Sequence, residues 1–173
     1  MQDPPAGART LPAWWLPVHG LTHTDSAMQV TTSRFGMVEI LPEDILLFSR
    51  GLIGFESHRH WVLLADAHNF GVAWLQSLAD PAVALPMVSP RRYVPSYRVL
   101  IQRSQLTPLE LAVLDEAFVL VAVGRNESGL TLNLRAPVIV NLNRRIGRQV
   151  VTGDEQPLQL ALPKIPLPLR KIA

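Results

Sequence analysis

From residue 28 onward the chain is cut into short runs of apolar, β-favouring residues: "DILLFS", "HWVLLAD", "VAWLQSL", "VALPMVS", "YRVLIQ", "FVLVAVG" and "VIVNLN", separated by Gly, Pro, Asn or charged residues. Runs this short bury a face as strands but are too brief to sustain the apolar stripe of a helix. Their regular spacing predicts a mostly β pseudo-barrel or sandwich of short, largely antiparallel strands rather than alternating βα units.

Within that frame the local text is specific. "MQVTTSRFGMVEI" reads as two strands around a turn at residues 34–36. "FVLVAVG" is apolar on both faces, as a strand covered on both sides should be. "LTLNLRA" alternates, with Leu130, Leu132 and Leu134 expected on one face and Thr131, Asn133 and Arg135 on the other. Pro137 cannot donate to a ladder, so a bulge or sheet edge is expected there. Asn141 falls on the side of Ile139 and Asn143. An unpaired buried amide costs roughly 1–3 kcal/mol, so Asn133 and Asn141 must bond the irregular backbone around Pro137 or be exposed. One short helix is expected near residues 108–116: Thr107 as N-cap, Pro108 at the first helical position, Glu110 completing a capping box, and Leu106 and Leu111 as staple.

Composition bounds the class. The chain has 173 residues, 48% hydrophobic and 17% charged, which suits one globular domain. It has no cysteine, so disulfides and thiolate metal sites are excluded and a cytoplasmic setting is expected, with no membrane span. Residues 1–27 are rich in Pro, Gly, Thr and Ala without a period and read as an extension carrying Trp14 and Trp15. Met28 opens the patterned region and is a candidate start of translation. Residues 156–173 read as a proline-rich basic tail with Lys164, Arg170 and Lys171 and no acid. Residues 28–155 hold as many arginines as acidic residues, so the body lacks the field that non-specific nucleic-acid binding depends on.

Catalytic chemistry finds little support. Ser49, Ser57, Ser77, Ser89 and Ser104 lie in no nucleophile elbow, and "GLIGFE" has neither the spacing nor the lysine of a phosphate loop. His58 and His60, with Asp66 or His68 nearby, read as a solvated polar loop before a metal site. No metal and no cofactor are expected. Arg144, Arg145 and Arg148 form a basic turn that supports an alternative reading, an RNA- or nucleic-acid-binding β-barrel module using that cluster and the tail. No aromatics interleave it, so a stacking platform is missing.

Five motifs then fall in order: "RFG-x-VE-x-L" at 34–41, "GLIGFE" at 51–56, "WLQSLADP" at 74–81, "TLNLRAPVIVN" at 131–141 and "GRQVV" at 147–151. Together they resemble the FliW family of flagellar assembly factors over residues 28–152. The resemblance departs at Ser49, where Pro is usual, at Leu132, where Ala is usual, and in its neutral rather than acidic body. It implies a mostly β pseudo-barrel over 28–155 and a non-enzymatic regulator, monomeric when free. Such a protein binds flagellin and, once freed, the translational repressor CsrA, relieving repression of flagellin mRNA allosterically and without binding nucleic acid itself. Phe55, Glu56, Trp74 and Gln76 are the candidate partner contacts. Gly51, Gly54, Asn133, Pro137 and Asn141 are expected to serve the scaffold.

Overall fold

The structure is a computed structural model that describes residues 27–162 apart from 67 and 70. The expectations for residues 1–26, Trp14 and Trp15 among them, and for 163–173 lie outside the described residues.

The described part is mostly strand. β1 (Met28–Thr32) and β2 (Gly36–Ile40) form a hairpin of their own. β3 (Ile45–Leu47), β4 (His60–Ala65), β5 (Ala73–Ser77) and β6 (Ala84–Val88) follow as an antiparallel meander. The single described α-helix, α1 (Arg103–Leu106), precedes β7 (Ala117–Asn126), β8 (Gly129–Leu132), β9 (Val138–Asn141), β10 (Ile146–Gln149) and the two-residue β11 (Leu160–Ala161).

β7 is long enough to serve several partners. Its first four residues pair with β9, Val121 and Ala122 pair with β6, and its last four pair with β8. Pairing of β9 with β10, and of β10 in parallel with β3, then closes a ring of seven strands. β8 and β11 continue one wall outside that ring. The break that frees β9 from β8 lies at residues 133–137, where Pro137 interrupts the ladder and Asn133 Oδ1 accepts the Ala136 N–H at 3.0 Å.

Alternation fills the barrel. Trp61 and Leu63 of β4, Leu75 of β5, Met87 of β6, Leu120 of β7, and Val138 and Val140 of β9 point inward with Leu46 and Phe48. Each fully buried aliphatic or aromatic side chain of this kind stabilises by roughly 1.5–3 kcal/mol. The opposite faces are covered too: the β1–β2 hairpin lays Val38 and Ile40 on Val62 and Leu64. This double coverage explains why β4 reads as an unbroken apolar run.

The structure corrects four local readings. The helix expected near 108–116 lies earlier, at Arg103–Leu106, and continues only as 3-10 turns at Thr107–Leu109 and Leu114–Glu116. Thr107 does not cap: its hydroxyl donates back to the Arg103 carbonyl at 3.3 Å, and Glu110 takes φ 50°, which ends the helical path. Leu106 and Leu111 both pack beside Leu109 and Ile139. "YRVLIQ" forms no strand. Tyr97 is buried and Val99 and Ile101 half-buried, yet the segment is held without a ladder, by the Tyr97 hydroxyl donating to the Leu134 carbonyl and the Gly153 N–H donating to the Leu100 carbonyl, each at 2.7 Å. In "LTLNLRA" the strand stops at Leu132; Leu130 is exposed and Thr131 buried, because β8 lies outside the ring between β7 and β11. Finally, the sheet runs past residue 155. β11 pairs with β8, and Leu134 N donates to the Pro157 carbonyl at 3.1 Å.

Candidate functional site

The "GLIGFE" motif forms a tight turn between β3 and β4. Gly51 has φ 66°, and a Cβ on it would lie 2.4 Å from the Phe55 carbonyl oxygen and 2.6 Å from Glu56 Cα, so the motif's first position requires glycine twice over. Gly54, at φ 85°, faces open space and requires it for backbone conformation alone. Leu52 and Phe55 form an isolated bridge, with Phe55 N donating to the Leu52 carbonyl at 2.8 Å. Glu56 Oε1 accepts the Gly54 N–H at 2.9 Å; that bond, followed by one from its own N–H, holds the carboxyl below the usual glutamate range.

The turn is also braced from outside. Gln149 of β10 accepts the Ile53 N–H with Oε1 at 2.9 Å and donates Nε2 to the Ala136 carbonyl at 3.1 Å. Ala136 in turn donates to Asn133. Three of the motifs, "GLIGFE", "GRQVV" and "TLNLRAP", therefore meet through one glutamine. The brace leaves Ile53 at the tip, 61% exposed, an apolar residue with nothing described to cover it. Sequence reasoning missed both residues. Neither was readable: Leu52 and Ile53 both lie between the turn glycines, yet Leu52 is buried and only Ile53 is exposed, and the partners of Gln149 lie far along the chain.

The four candidate partner contacts do not share a surface. Phe55 is half-buried against the barrel interior, its ring edge-on to Trp61 at 6.1 Å. Glu56 is exposed beside it. Trp74 belongs to the opposite face of the wall, under the hairpin. Its indole N–H donates to Asp66 Oδ2 at 2.9 Å, the Arg34 guanidinium lies 3.6 Å from a ring centroid, and Phe35 meets it edge-on. Gln76 is fully buried and reaches no partner as it stands. Its Nε2 lies among the carbonyls of Ser77, Val83, Asp80 and Pro81 at 3.0–3.3 Å, and Pro81 also accepts the Ser33 N–H, so Gln76 ties the 78–83 loop to the hairpin tip.

The scaffold residues have definite partners. Asn141 is fully buried. Its Nδ2 donates to the carbonyls of Leu109 and Glu110 at 2.9 and 3.2 Å, and its Oδ1 accepts the N–H groups of Asn143 and Arg144 at 3.1 and 3.2 Å. One amide thus ends the helical segment and shapes the β9–β10 turn.

Other chemistry is thin. Among the described residues no three His, Asp or Glu side chains gather closely enough to hold a metal. Ser77 Oγ lies 2.9 Å from His58 Nδ1, a pairing that invites comparison with a nucleophile and base. Ser77 is buried, however, and its oxygen accepts the Ala79 and Asp80 N–H groups, which makes it a turn brace. The arginine cluster is dispersed: Arg144 reaches Glu110 at 3.4 Å, while Arg145 and Arg148 are half-buried. No helix among the described residues is long and apolar enough to cross a membrane.

Fold and site together define a small closed β-barrel whose motif residues build turns and braces, with Ile53 and Glu56 exposed at one of those turns. The model of the FliW protein family matches residues 29–163, and the chain belongs to that family. A flagellar assembly factor FliW of Bdellovibrio bacteriovorus is 40% identical over 129 residues, covering 73% of this chain and 74% of the relative. One of Syntrophus aciditrophicus is 35% identical over 131 residues, covering 75% and 83%. A crystal structure of the flagellar assembly factor FliW superposes with a TM-score of 0.70 at 26% identity, over 78% of this chain and 95% of the other.

Proposed function

We propose that this chain is a cytoplasmic flagellar assembly factor that binds flagellin and the translational regulator CsrA. By binding CsrA away from its RNA face it relieves repression of flagellin mRNA. The observation that carries the reading is the family match together with a rigid, externally braced turn that presents Ile53 and Glu56 to solvent. A braced turn binds with little loss of conformational freedom, which is what a switching interface between two proteins requires. Phe55 supports the turn from below, and Trp74 and Gln76 serve it only indirectly, by holding the neighbouring wall.

The test is calorimetric titration of the full chain against CsrA and flagellin from the same organism, singly and in competition. Binding to each, with one displacing the other, is the expected result. Ile53→Asp should weaken at least one of these interactions while leaving the melting temperature unchanged. Binding to neither protein overturns the reading. Salt-sensitive binding to RNA, lost in an Arg144→Ala, Arg145→Ala, Arg148→Ala triple variant, would replace it with the nucleic-acid alternative.

A further inference from the structure

Between Asp80 and Glu110 the chain carries four arginines, Arg91, Arg92, Arg98 and Arg103, and no acidic residue. Within that stretch residues 97–102 alternate in burial: Tyr97 is buried, Val99 and Ile101 are half-buried, and Arg98, Leu100 and Gln102 are exposed. A period of two marks an extended backbone, and Gln102 at its end has φ −71° and ψ 142°. In such a backbone the N–H and C=O of one residue point to one edge and those of the next residue to the other. On one edge the Leu100 carbonyl accepts the Gly153 N–H. The opposite edge belongs to Tyr97, Val99 and Ile101. There Arg91 Nε donates to the Tyr97 carbonyl at 3.3 Å, while the N–H and C=O groups of Val99 and Ile101 have no partner among the described residues.

Backbone groups of half-buried residues are rarely left unpaired in a finished fold. Val99 and Ile101 also line a groove of about 530 Å³, whose apolar wall continues through Leu106, Leu114 and Ile139. Leu114 is 71% exposed and Val113 beside it 59% exposed, an unusual concentration of apolar surface at a rim. Arg91 lines the groove, and Arg98 and Arg103 lie exposed along the receiving segment. None of the three meets a carboxylate; the ion pair among the described residues is Arg144 with Glu110. The acidic lining residue, Asp115, stands on the opposite bank beside the start of β7. These features select the occupant. Free donors and acceptors at every second residue fit another extended backbone, which bonds them as an added strand. The groove takes that strand's alternate apolar side chains, and the arginines along the edge favour acidic side chains between them.

We propose that Val99 and Ile101 form a receiving edge for an extended, acidic segment of a partner protein. The segment adds to residues 97–101 as a strand, with its apolar side chains in the groove and its carboxylates toward Arg91 and Arg98. Two rungs at every second residue span about 7 Å, so a short stretch of partner chain covers the edge. An open edge invites indiscriminate pairing, and the arginines beside it restrict that pairing to acidic segments. None of residues 97–101 belongs to the 51–56 turn, so the proposal stands whether or not that turn binds CsrA or flagellin.

The probe is an eight-residue peptide of alternating valine and glutamate, titrated into the full chain and followed by NMR. The expected result is a downfield shift of the Val99 and Ile101 amide protons and slower exchange of both, about tenfold slower with peptide at about nine times its dissociation constant. An alternating valine and lysine peptide should bind more weakly, and Arg98→Glu, at an exposed position, should reverse that preference. The valine and glutamate peptide methylated at every amide nitrogen keeps its side chains and charge but loses its donors, and it should leave both signals in place. Signals unmoved at millimolar peptide would overturn the proposal. Equal binding by the methylated peptide would do the same, by making the groove an apolar seat, as would a preference that Arg98→Glu leaves unchanged. Protection of the two amides already present without peptide and lost on dilution would also overturn it, by making the occupant a second copy.

Discussion

The turn at 51–56 and the helical segment at 103–116 are both irregular, and each is clamped by a single amide from elsewhere: Gln149 for the first, Asn141 for the second. They differ in where their shape originates. The turn is dictated locally, by two glycines whose backbone conformations other residues rarely adopt, and Gln149 only steadies it. The helical segment carries local signals for a helix over 108–116 that the fold overrides, and Asn141 decides where the helix stops. Covalent geometry speaks through neighbouring residues, whereas a hydrogen bond spanning more than thirty positions does not.

The largest effect expected from this contrast is at Gly51. Gly51→Ala places a methyl group against backbone at 2.4–2.7 Å and forces a left-handed conformation on alanine, a combined cost of about 3 kcal/mol or more. Gly54→Ala meets nothing within 4 Å and should cost only about 1 kcal/mol. Denaturant unfolding of both variants measures the difference. Equal losses would show that the turn yields to a methyl group, and that its shape is imposed from outside after all.

Next comes Asn141. Asn141→Ala removes four hydrogen bonds and strands buried backbone groups, with an expected loss of about 2–4 kcal/mol. Asn141→Asp keeps the acceptor for Asn143 and Arg144 but cannot donate to Leu109 and Glu110. Amide exchange in the Asp variant should therefore accelerate across 103–110 while the β9–β10 turn stays protected. Uniform acceleration in both places would mean that the amide acts through global stability and not as a cap.

Much of the fold was legible for the same reason that the turn was. The barrel strands from β4 to β7 and the β1–β2 hairpin follow from alternation, double-sided apolar runs and turn glycines, all local features. Ring closure was not legible in this way, because it depends on β7 exchanging one partner for another along its length. "YRVLIQ" shows the limit: it alternates like a strand and packs like one, but lacks the ladder partner that only topology supplies. At the candidate site the turn glycines were readable, and so was the exposure of Glu56. Gln76 was misread because its glutamine looks like a surface residue, and nothing nearby announces the four carbonyls that surround it.

Gln149 sharpens the comparison at a smaller scale. Gln149→Leu keeps the bulk and removes both bonds, at an expected cost of about 1 kcal/mol because the Ile53 bond is exposed. If Gln149 only steadies a turn that glycine already shapes, residues 52–56 should gain motion in NMR relaxation without changing their average chemical shifts much. Partner binding at Ile53 should then weaken through faster dissociation. Large shift changes throughout 51–56 would place the origin of the turn in Gln149 instead.

The smallest effect lies on the hairpin side, where Asp66 holds Trp74. Desolvation is the largest single influence on Asp66 and pushes its pKa up. The bonds from the Trp74 indole and from the His68 and Asn69 N–H groups, with the charge of His68, outweigh it, and the carboxyl titrates below its ordinary value. A depressed folded-state pKa contributes stability that is present above the unfolded value and is lost as pH falls through the folded one. The wild type should thus lose this increment only in acid, below about pH 4. Trp74→Phe removes the indole donor, so it should be less stable than wild type near neutral pH, with the gap narrowing as the pH drops through that window. The measurement is thermal unfolding of both proteins from pH 7 to pH 3. A gap that stays constant with pH would show that Trp74 stabilises through packing against Phe35 and Arg34 alone, leaving Asp66 without a part in holding the wall.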